Sequence, residues 1–467
     1  MKNLQYIVIL GALVIAFFNA CRPDEEFTND PAATLSFSLD TVYFDTLFTQ
    51  LANGQIKPIS ITKQLRVTNT NKNAIRTNIR LAGNYARSYQ LNIDGETTNQ
   101  KYGKEILGKD SIIIFIQCYV DSNSLDSAFI VDAQMVFETN GNVQDVDLVG
   151  WGQNAKYYNN TVLDCNGGNL HWTSEKPYVI YDSILVPFGC TLTIDAGTRI
   201  HSYNNSCILV QGTLVVNGTP ENPVIFEGTR LDGGGKDYTK QWIGIRFLPR
   251  SKDNRIKGAI IRNGFVGIEV DSLPVNGSPN LQIEQCRIYN MQAVGIVGYT
   301  SHIVAINNEI TNCGQFGFFG ALGGDYKLYH NTLALYNTDF NRQNPLLVFD
   351  NSSYKDANGA VLTSFPLSFE LVNNIIEGSL EDEFLINDSK ATTITAVIQN
   401  NIFRTKNKSL NVNGNKLNVN VLFENPGLMQ YTLKAASPAK AAGANIGVTV
   451  DLKNKIRAAV PSMGCYE

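Results

Sequence analysis

Ile208-Leu209-Val210-Gln211-Gly212-Thr213-Leu214-Val215-Val216-Asn217-Gly218-Thr219, followed after two residues by Asn222-Pro223-Val224-Ile225-Phe226, decides how this chain folds. Short runs of β-branched and aliphatic residues alternate here with Gln-Gly, Asn-Gly and Asn-Pro steps. Such runs read as strands. The steps read as turns, because Gly and Asn reach left-handed backbone and Pro cannot donate to a ladder. The pattern extends upstream through Val179 to Pro187 and Cys190 to Thr198, so that strands recur every 15 to 20 residues. Beyond the N-terminal segment there is no long helical periodicity, and the chain reads as all-β.

Downstream, Ile260-Ile261-Arg262-Asn263-Gly264, Arg287-Ile288-Tyr289-Asn290 and Glu309-Ile310-Thr311-Asn312 repeat one phrase, with Asn-to-Asn steps of 27 and 22 residues. Periods in the twenties belong to solenoids. A single coil cannot bury its own apolar residues, so matching strands of successive coils stack as parallel sheets around a shared core. Asn at the same corner of each coil would form a ladder of amides bonded to one another and to the turn backbone. Asn331, Asn374 and Asn401 are expected as its later rungs. The stretch from 337 to 366 is long for a solenoid connection and is expected to overhang one face as a binding rim.

Leu214 to Phe226 resembles the recurring phrase of right-handed β-helix proteins with pectin-lyase-like folds. Trp242-Ile243-Gly244-Ile245-Arg246-Phe247 resembles the phrase that usually follows it. Ser437-Pro438-Ala439, Gly443, Asp451, Arg457 and Met463-Gly464-Cys465-Tyr466-Glu467 resemble the closing segment of many secreted β-helix proteins. The resemblance implies a right-handed parallel β-helix over residues 160–467. It names no activity, because the same fold hosts lyases, hydrolases, adhesins and inert stalks.

Residues 34–155 have a different pattern. Gln64 to Thr68 alternates and breaks at Asn69-Thr70-Asn71; Tyr89 to Ile93 alternates and stops at Asp94-Gly95. Ile112 to Ile116 is nearly continuous in apolar residues, the pattern of a strand buried on both faces. Met135-Val136-Phe137 leads to Asn140-Gly141, a strong hairpin signal. About seven strands in this span fit an immunoglobulin-like sandwich, without the Cys…Trp…Cys hallmark of antibody domains.

The chain opens with Lys2 and an uncharged apolar run, Ile7 to Phe18, too short for a comfortable membrane span. Residues 1–20 read as a signal peptide, and Asn19-Ala20-Cys21 resembles the lipobox of bacterial lipoproteins, which implies lipidation of Cys21. Arg22-Pro23-Asp24-Glu25-Glu26 begins an acidic tether over 21–33. It resembles the export signal of Bacteroidota surface lipoproteins; the other reading is a solvated charged spacer. The resemblance implies an outer-membrane protein facing the cell exterior, with membrane lipid as its partner through Cys21. Seven other cysteines show no C-x-x-C pair and no histidine at zinc spacing. Cys165, Cys190 and Cys207 are the closest candidates for a disulfide; buried thiols packing as small apolar residues are the alternative.

Charged residues make up 17% of the chain, the formal net charge is -4, and Lys and Arg are scattered. This excludes the basic stripe that nucleic-acid binding requires. Lyases with this fold typically hold calcium on clustered aspartates beside a proton-abstracting Arg or Lys, and calcium needs several oxygen ligands together. Here Asp232, Asp237, Glu269, Asp271, Asp325, Asp339, Asp350 and Asp356 are dispersed. Arg255-Ile256-Lys257 matches a triplet of polygalacturonase-like hydrolases, but the paired aspartates that supply acid and base do not precede it. His171, His201, His302 and His330 sit singly between strands, and Gly233-Gly234-Gly235 precedes no helix that would make it a phosphate cradle. Phe316, Phe318, Phe319, Tyr326, Tyr329 and Tyr336 lie close together; exposed on a sheet they would stack against sugar rings, and at alternate positions they would be core. The expectation is a non-catalytic surface protein with no catalytic, cofactor or metal residues, whose β-helix binds a polysaccharide or a surface protein. The competing reading is a polysaccharide lyase or glycoside hydrolase with an atypical site, and a third is a purely structural component.

Overall fold

The computed structural model describes residues 26–49, 61–123, 127–166, 168–271, 278–336, 340–355, 361–362, 365–390 and 392–467. Cys21, the leader before it, residues 22–25 of the acidic tether, Asp339 and Asp356 lie outside the described residues. The chain divides into two compact units between Gln153 and Asn154.

In the first unit, Leu35–Phe37, Lys63–Asn69, Ser111–Cys118, Tyr89–Ile93 and Glu96–Thr97 form one sheet in that lateral order. Thr41–Phe48, Asn142–Gln153, Phe129–Thr139, Ile75–Ala82 and Gln100–Ile106 form the other. The chain enters by pairing Leu35–Phe37 antiparallel with Lys63–Asn69. It then changes sheets, and Thr41–Phe48 lies parallel to Asn142–Gln153. Alternation sends Leu65, Val67, Leu91 and Ile114 from one sheet, and Val131, Met135, Phe137 and Leu148 from the other, into a shared core. Asn140 and Gly141 turn the expected hairpin with φ of 51° and 87°, setting Thr139 opposite Asn142. One expectation fails. Ile112, Ile114 and Ile116 are buried, but Phe115 is 37% exposed, so the strand is covered on one face only. Its apolar run reflects strand propensity rather than burial on both sides.

The second unit is a right-handed parallel β-helix. Its first face is a nine-strand ladder from Asn169–Trp172 to Ile394–Gln399, all parallel. Second-face strands include Val224–Gly228, Ala259–Arg262, Arg287–Met291, Glu309–Cys313, Thr332–Leu335 and Ile375–Gly378. Third-face strands include Gly244–Phe247, Val266–Val270, Val294–Tyr299, Phe316–Ala321, Leu347–Asp350 and Phe384–Asn387. Ile283, Ala305, Leu328, Leu371 and Ile398 stand above one another on the first face, so consecutive coils advance by 22, 23, 43 and 27 residues. The 43-residue coil contains the stretch expected as a single overhanging loop. Instead, Leu347–Asp350 is a third-face strand with Leu347 and Phe349 in the core, where Phe349 stacks on Phe369 at 4.4 Å.

Two asparagine ladders replace the one expected. Asn312 donates to Asn290 Oδ1 (3.1 Å) and Asn290 to Asn263 Oδ1 (2.7 Å); all three have left-handed φ and turn the corner between the second and third faces. Asn331, Asn374 and Asn401 belong to a different ladder, Asn308–Asn331–Asn374–Asn401–Asn415, at the corner before the second face. There each Nδ2 also bonds a strand carbonyl, and each Oδ1 accepts the backbone N–H of the preceding rung. The left-handed position in that corner is one residue earlier, at Asn307, His330, Asn373 and Asn400.

The C-terminal segment runs back along this corner. Asn400 donates to Ala442 O, Asn373 to Ala444 O, Asn307 to Val450 O and Gln285 to Asp451 O. Asp451 accepts the Lys453, Lys455 and Glu467 amides. The buried Arg457 bonds Asn307 Oδ1 (2.6 Å), Gly464 O, Ser462 O and Glu467. The residues picked out as a closing segment are thus brought together, and Met463, Cys465, Phe423 and Tyr431 bury the outward side of Ala334, Ile375 and Ile402.

Candidate functional site

Strand alternation determines what the third face presents. Ile245, Ile268, Ile296 and Phe318 point into the core. Arg246, Glu269, Val297, Phe319, Val348 and Leu385 therefore form one outward row in register, rising about 4.8 Å per coil. Val266, Val294 and Phe316 form the adjacent row. Phe316 and Phe319 stack at 4.8 Å with planes 19° apart, and both are half-buried on top of Val294 and Val297. At the other end Arg246 bridges two carboxylates, with Nε 3.2 Å from Glu269 and Nη2 3.2 Å from Asp271. Burial holds the Glu269 carboxyl above its usual range, although Arg246 pulls the other way. Tyr299 lies beside them, its phenol raised by burial and then by Glu269 and Asp271. The face thus joins an apolar aromatic end to a polar end rich in donors and acceptors.

Of the six clustered aromatics only Phe316 and Phe319 lie on this face. Phe318 and Tyr326 are core. Tyr329 projects from the first face and donates to Glu370 Oε2 (2.5 Å), and Tyr336 packs against Phe423 and Tyr431 under the closing segment. Asp232 pairs with Arg230, and Asp350 accepts from Ser352 N and Asn387 Nδ2. Among the described residues no group of three or more His, Cys, Asp or Glu is gathered as a metal would need. Arg255 and Lys257 are outward rungs of the first face, facing Gln282 and Glu284, with Ile256 in the core between them.

Two histidines have carboxylate partners. His201 Nδ1 lies 3.4 Å from Glu227, and Arg262 bonds the same carboxylate through Nε (2.8 Å) and Nη2 (2.5 Å) while donating to the Tyr289 hydroxyl. These residues are consecutive register partners on the second face, which the coil period could have revealed. Burial pushes His201 down, so it is held neutral. His302 lies 3.3 Å from Asp325. His330 is buried, pushed down to about 3, with Nε2 2.8 Å from Asn373 Nδ2. Cys165 and Cys190 form a disulfide; Cys207, with Cys118, Cys286, Cys313 and Cys465, is a buried thiol.

The family model "Right handed beta helix region" matches residues 151–333. The catalytic unit of a GH87 α-1,3-glucanase from Streptomyces thermodiastaticus overlaps 72% of this chain and 78% of its own, with 13% identity and a TM-score of 0.24. The catalytic domain of a GH87 α-1,3-glucanase in complex with tetrasaccharides overlaps 72% and 80%, with 9% identity and a TM-score of 0.28. The ASH/PapD-like domain of human CEP192 is 98% covered by 30% of this chain, with 8% identity and a TM-score of 0.19. No curated protein matches the sequence.

Proposed function

We propose that this is a lipid-anchored, exterior-facing outer-membrane protein that binds glycan on the third face of its β-helix. One observation carries the reading: the outward row Arg246–Glu269–Val297–Phe319 beside the Phe316–Phe319 stack. Apolar ring faces favour the C–H faces of sugars, and the Arg246–Glu269–Asp271 group offers bidentate partners to hydroxyls. A surface that repeats once per coil suits a ligand that repeats along its length. Binding is tested by titrating a panel of neutral and uronate polysaccharides into the wild-type protein and Phe319→Ala. Loss of one aromatic contact should weaken binding about three- to tenfold; unchanged affinity would remove this face from the reading. Anchoring is tested by metabolic labelling with a fatty acid, which Cys21→Ser should abolish.

A second reading rests on Glu269 and Asp271. Glu269 lies in the strand Val266–Val270 and Asp271 directly follows it; both carboxylates meet the Arg246 guanidinium, and burial favours the protonated form of Glu269. A pair of carboxyl groups, one acting as acid and the other as base or nucleophile, is what a glycoside hydrolase uses. New reducing ends that vanish in Glu269→Gln would establish the enzyme reading over the binding one.

A further inference from the structure

The C-terminal segment does not lie flat on the second face. Between it and the strands Ala259–Arg262 and Arg287–Met291 it leaves a cavity of about 530 Å³, inside the range of small-molecule sites, roughly 300–1,000 Å³. Pro220, Pro223 and Ile260 line one side, and Tyr431, Leu452 and Tyr466 the other. Arg287 and Lys453 supply cationic donors, and Glu424 a carboxylate.

The charges leave little field for an anion. Buried Glu309 already holds Arg287 through Nε (2.9 Å) and takes the Tyr466 hydroxyl on its other oxygen (2.5 Å), so the guanidinium is neutralised from behind with its Nη groups left to donate. Lys453 lies 5.5 Å from the centre of the Tyr466 ring, and Glu424 balances its charge within the same lining. Gln285 is 2% exposed and lines the cavity, with its Nε2 tied to Asp451 O (2.7 Å) and Asn454 Oδ1 (2.8 Å) and its Oε1 sealed from solvent. The polar groups open to a ligand are therefore Arg287, Lys453 and Glu424. A carboxylate cannot donate to Glu424. A hydroxyl can donate to Glu424 and accept from Arg287 or Lys453, while the carbon side of the same ring packs on proline and tyrosine.

We propose that this cavity binds a neutral, hydroxyl-rich ring: the terminal or branch sugar of a glycan. The site extends the glycan-binding reading to a second place on the β-helix and shares no residue with the third face. A half-enclosed cavity accepts a chain end rather than a chain running through.

The test uses the full mature chain and methyl glycosides of glucose, galactose and mannose, each beside its uronic acid. Saturation-transfer NMR and calorimetry give the readout. At least one neutral glycoside should bind saturably. Lys453→Ala should weaken it about fivefold, one hydrogen bond's worth. Ile260→Trp, which fills the cavity, should abolish it, while Phe319→Ala leaves it unchanged. Two circular dichroism spectra matching wild type would keep both cavity variants interpretable. Binding that survives Ile260→Trp would overturn the site, and so would tighter binding of the uronic acids than of their neutral partners. The same holds if no glycoside binds. Loss of polysaccharide binding in Phe319→Ala alone would speak only to the third face.

Discussion

Replacing Asn374 by Ala tests whether the corner ladder, rather than the apolar stack alone, holds the coils in register. Asn374 is fully buried. Its Oδ1 accepts the Asn331 backbone N–H (2.9 Å) and Nδ2 (3.1 Å); its Nδ2 donates to Leu328 O (2.7 Å) and Asn401 Oδ1 (3.0 Å). In Asn374→Ala, Asn331 Nδ2 keeps Ala305 O, and Asn401 Oδ1 keeps the backbone N–H of residue 374. The Asn331 N–H loses the acceptor it uses, which costs about 1–3 kcal/mol in a buried site, and two donor bonds at about 1 kcal/mol each go with it. The total is about 3–5 kcal/mol. A solenoid need not unfold as one unit, so a global melting midpoint would blur the effect. Hydrogen exchange followed by mass spectrometry resolves it: peptides spanning 324–335 and 394–403 should exchange about 150- to 5,000-fold faster, while those around Trp172 stay near wild type. Exchange in Asn374→Ala within fivefold of wild type would refute the reasoning and leave the ladder as a by-product of packing.

Arg457→Gln should cost about 3–5 kcal/mol by removing the cation beside Glu467 and the donors to Asn307 Oδ1 and the Gly464 and Ser462 carbonyls in a buried site. Limited proteolysis should then release the C-terminal segment before any cut within the coils. Reduction of Cys165–Cys190, which closes a loop of 25 residues' separation, should destabilise the first coils by about 3 kcal/mol. Thiol titration after mild reductant, set against fluorescence from the neighbouring Trp172, reads this out. Burial raises Glu377 to about 7, so the folded chain keeps a proton that an unfolded glutamate at 4.5 releases. Stability should therefore fall as pH rises from 4.5 to 7, by at most about 3 kcal/mol, with solvent screening taking a share. His330, held at about 3 against 6.5, acts in the opposite sense and loses stability as pH falls through that window. The comparison is thus between melts of wild type and Glu377→Gln at pH 5 and 8, and equal pH slopes would remove Glu377 from the account.

The solenoid was legible because its period is written in turn residues: Asn217-Gly218, Asn222-Pro223 and Asn263-Gly264 mark corners whatever lies between them. The ladders were legible only in kind. Asn290 and Asn374 look alike in sequence, yet one takes the left-handed turn itself and the other follows a residue that does, so they stack in different corners. Sequence spacing cannot separate the two, because the 43-residue coil carries Leu347–Asp350 inside what reads as a loop. Ile112–Ile116 misled for a related reason, since β-branched residues favour strands on either face and their run hides which side is wet. His201 and Glu227 escaped notice because they are 26 residues apart; they meet only once the coil length places both on the same rung.

That last case explains where chemistry can reside on such a molecule. Each outward row gathers one residue per coil, so a functional group here is assembled from residues about one period apart and has no local motif. The second face illustrates the limit on this. Ala334, Ile375 and Ile402 point outward, yet Phe423, Tyr431 and Met463 bury them, and a cavity opens along the cover at Gln285 and Arg287. The third face keeps Phe316 and Phe319 partly exposed next to Arg246, Glu269 and Asp271. Apolar rings left half-dry on an outward row cost solubility unless a ligand covers them, whereas the same residues under a closing segment only add stability. The two proposed glycan contacts thus fall on the face the chain leaves open and in a gap of the face it closes.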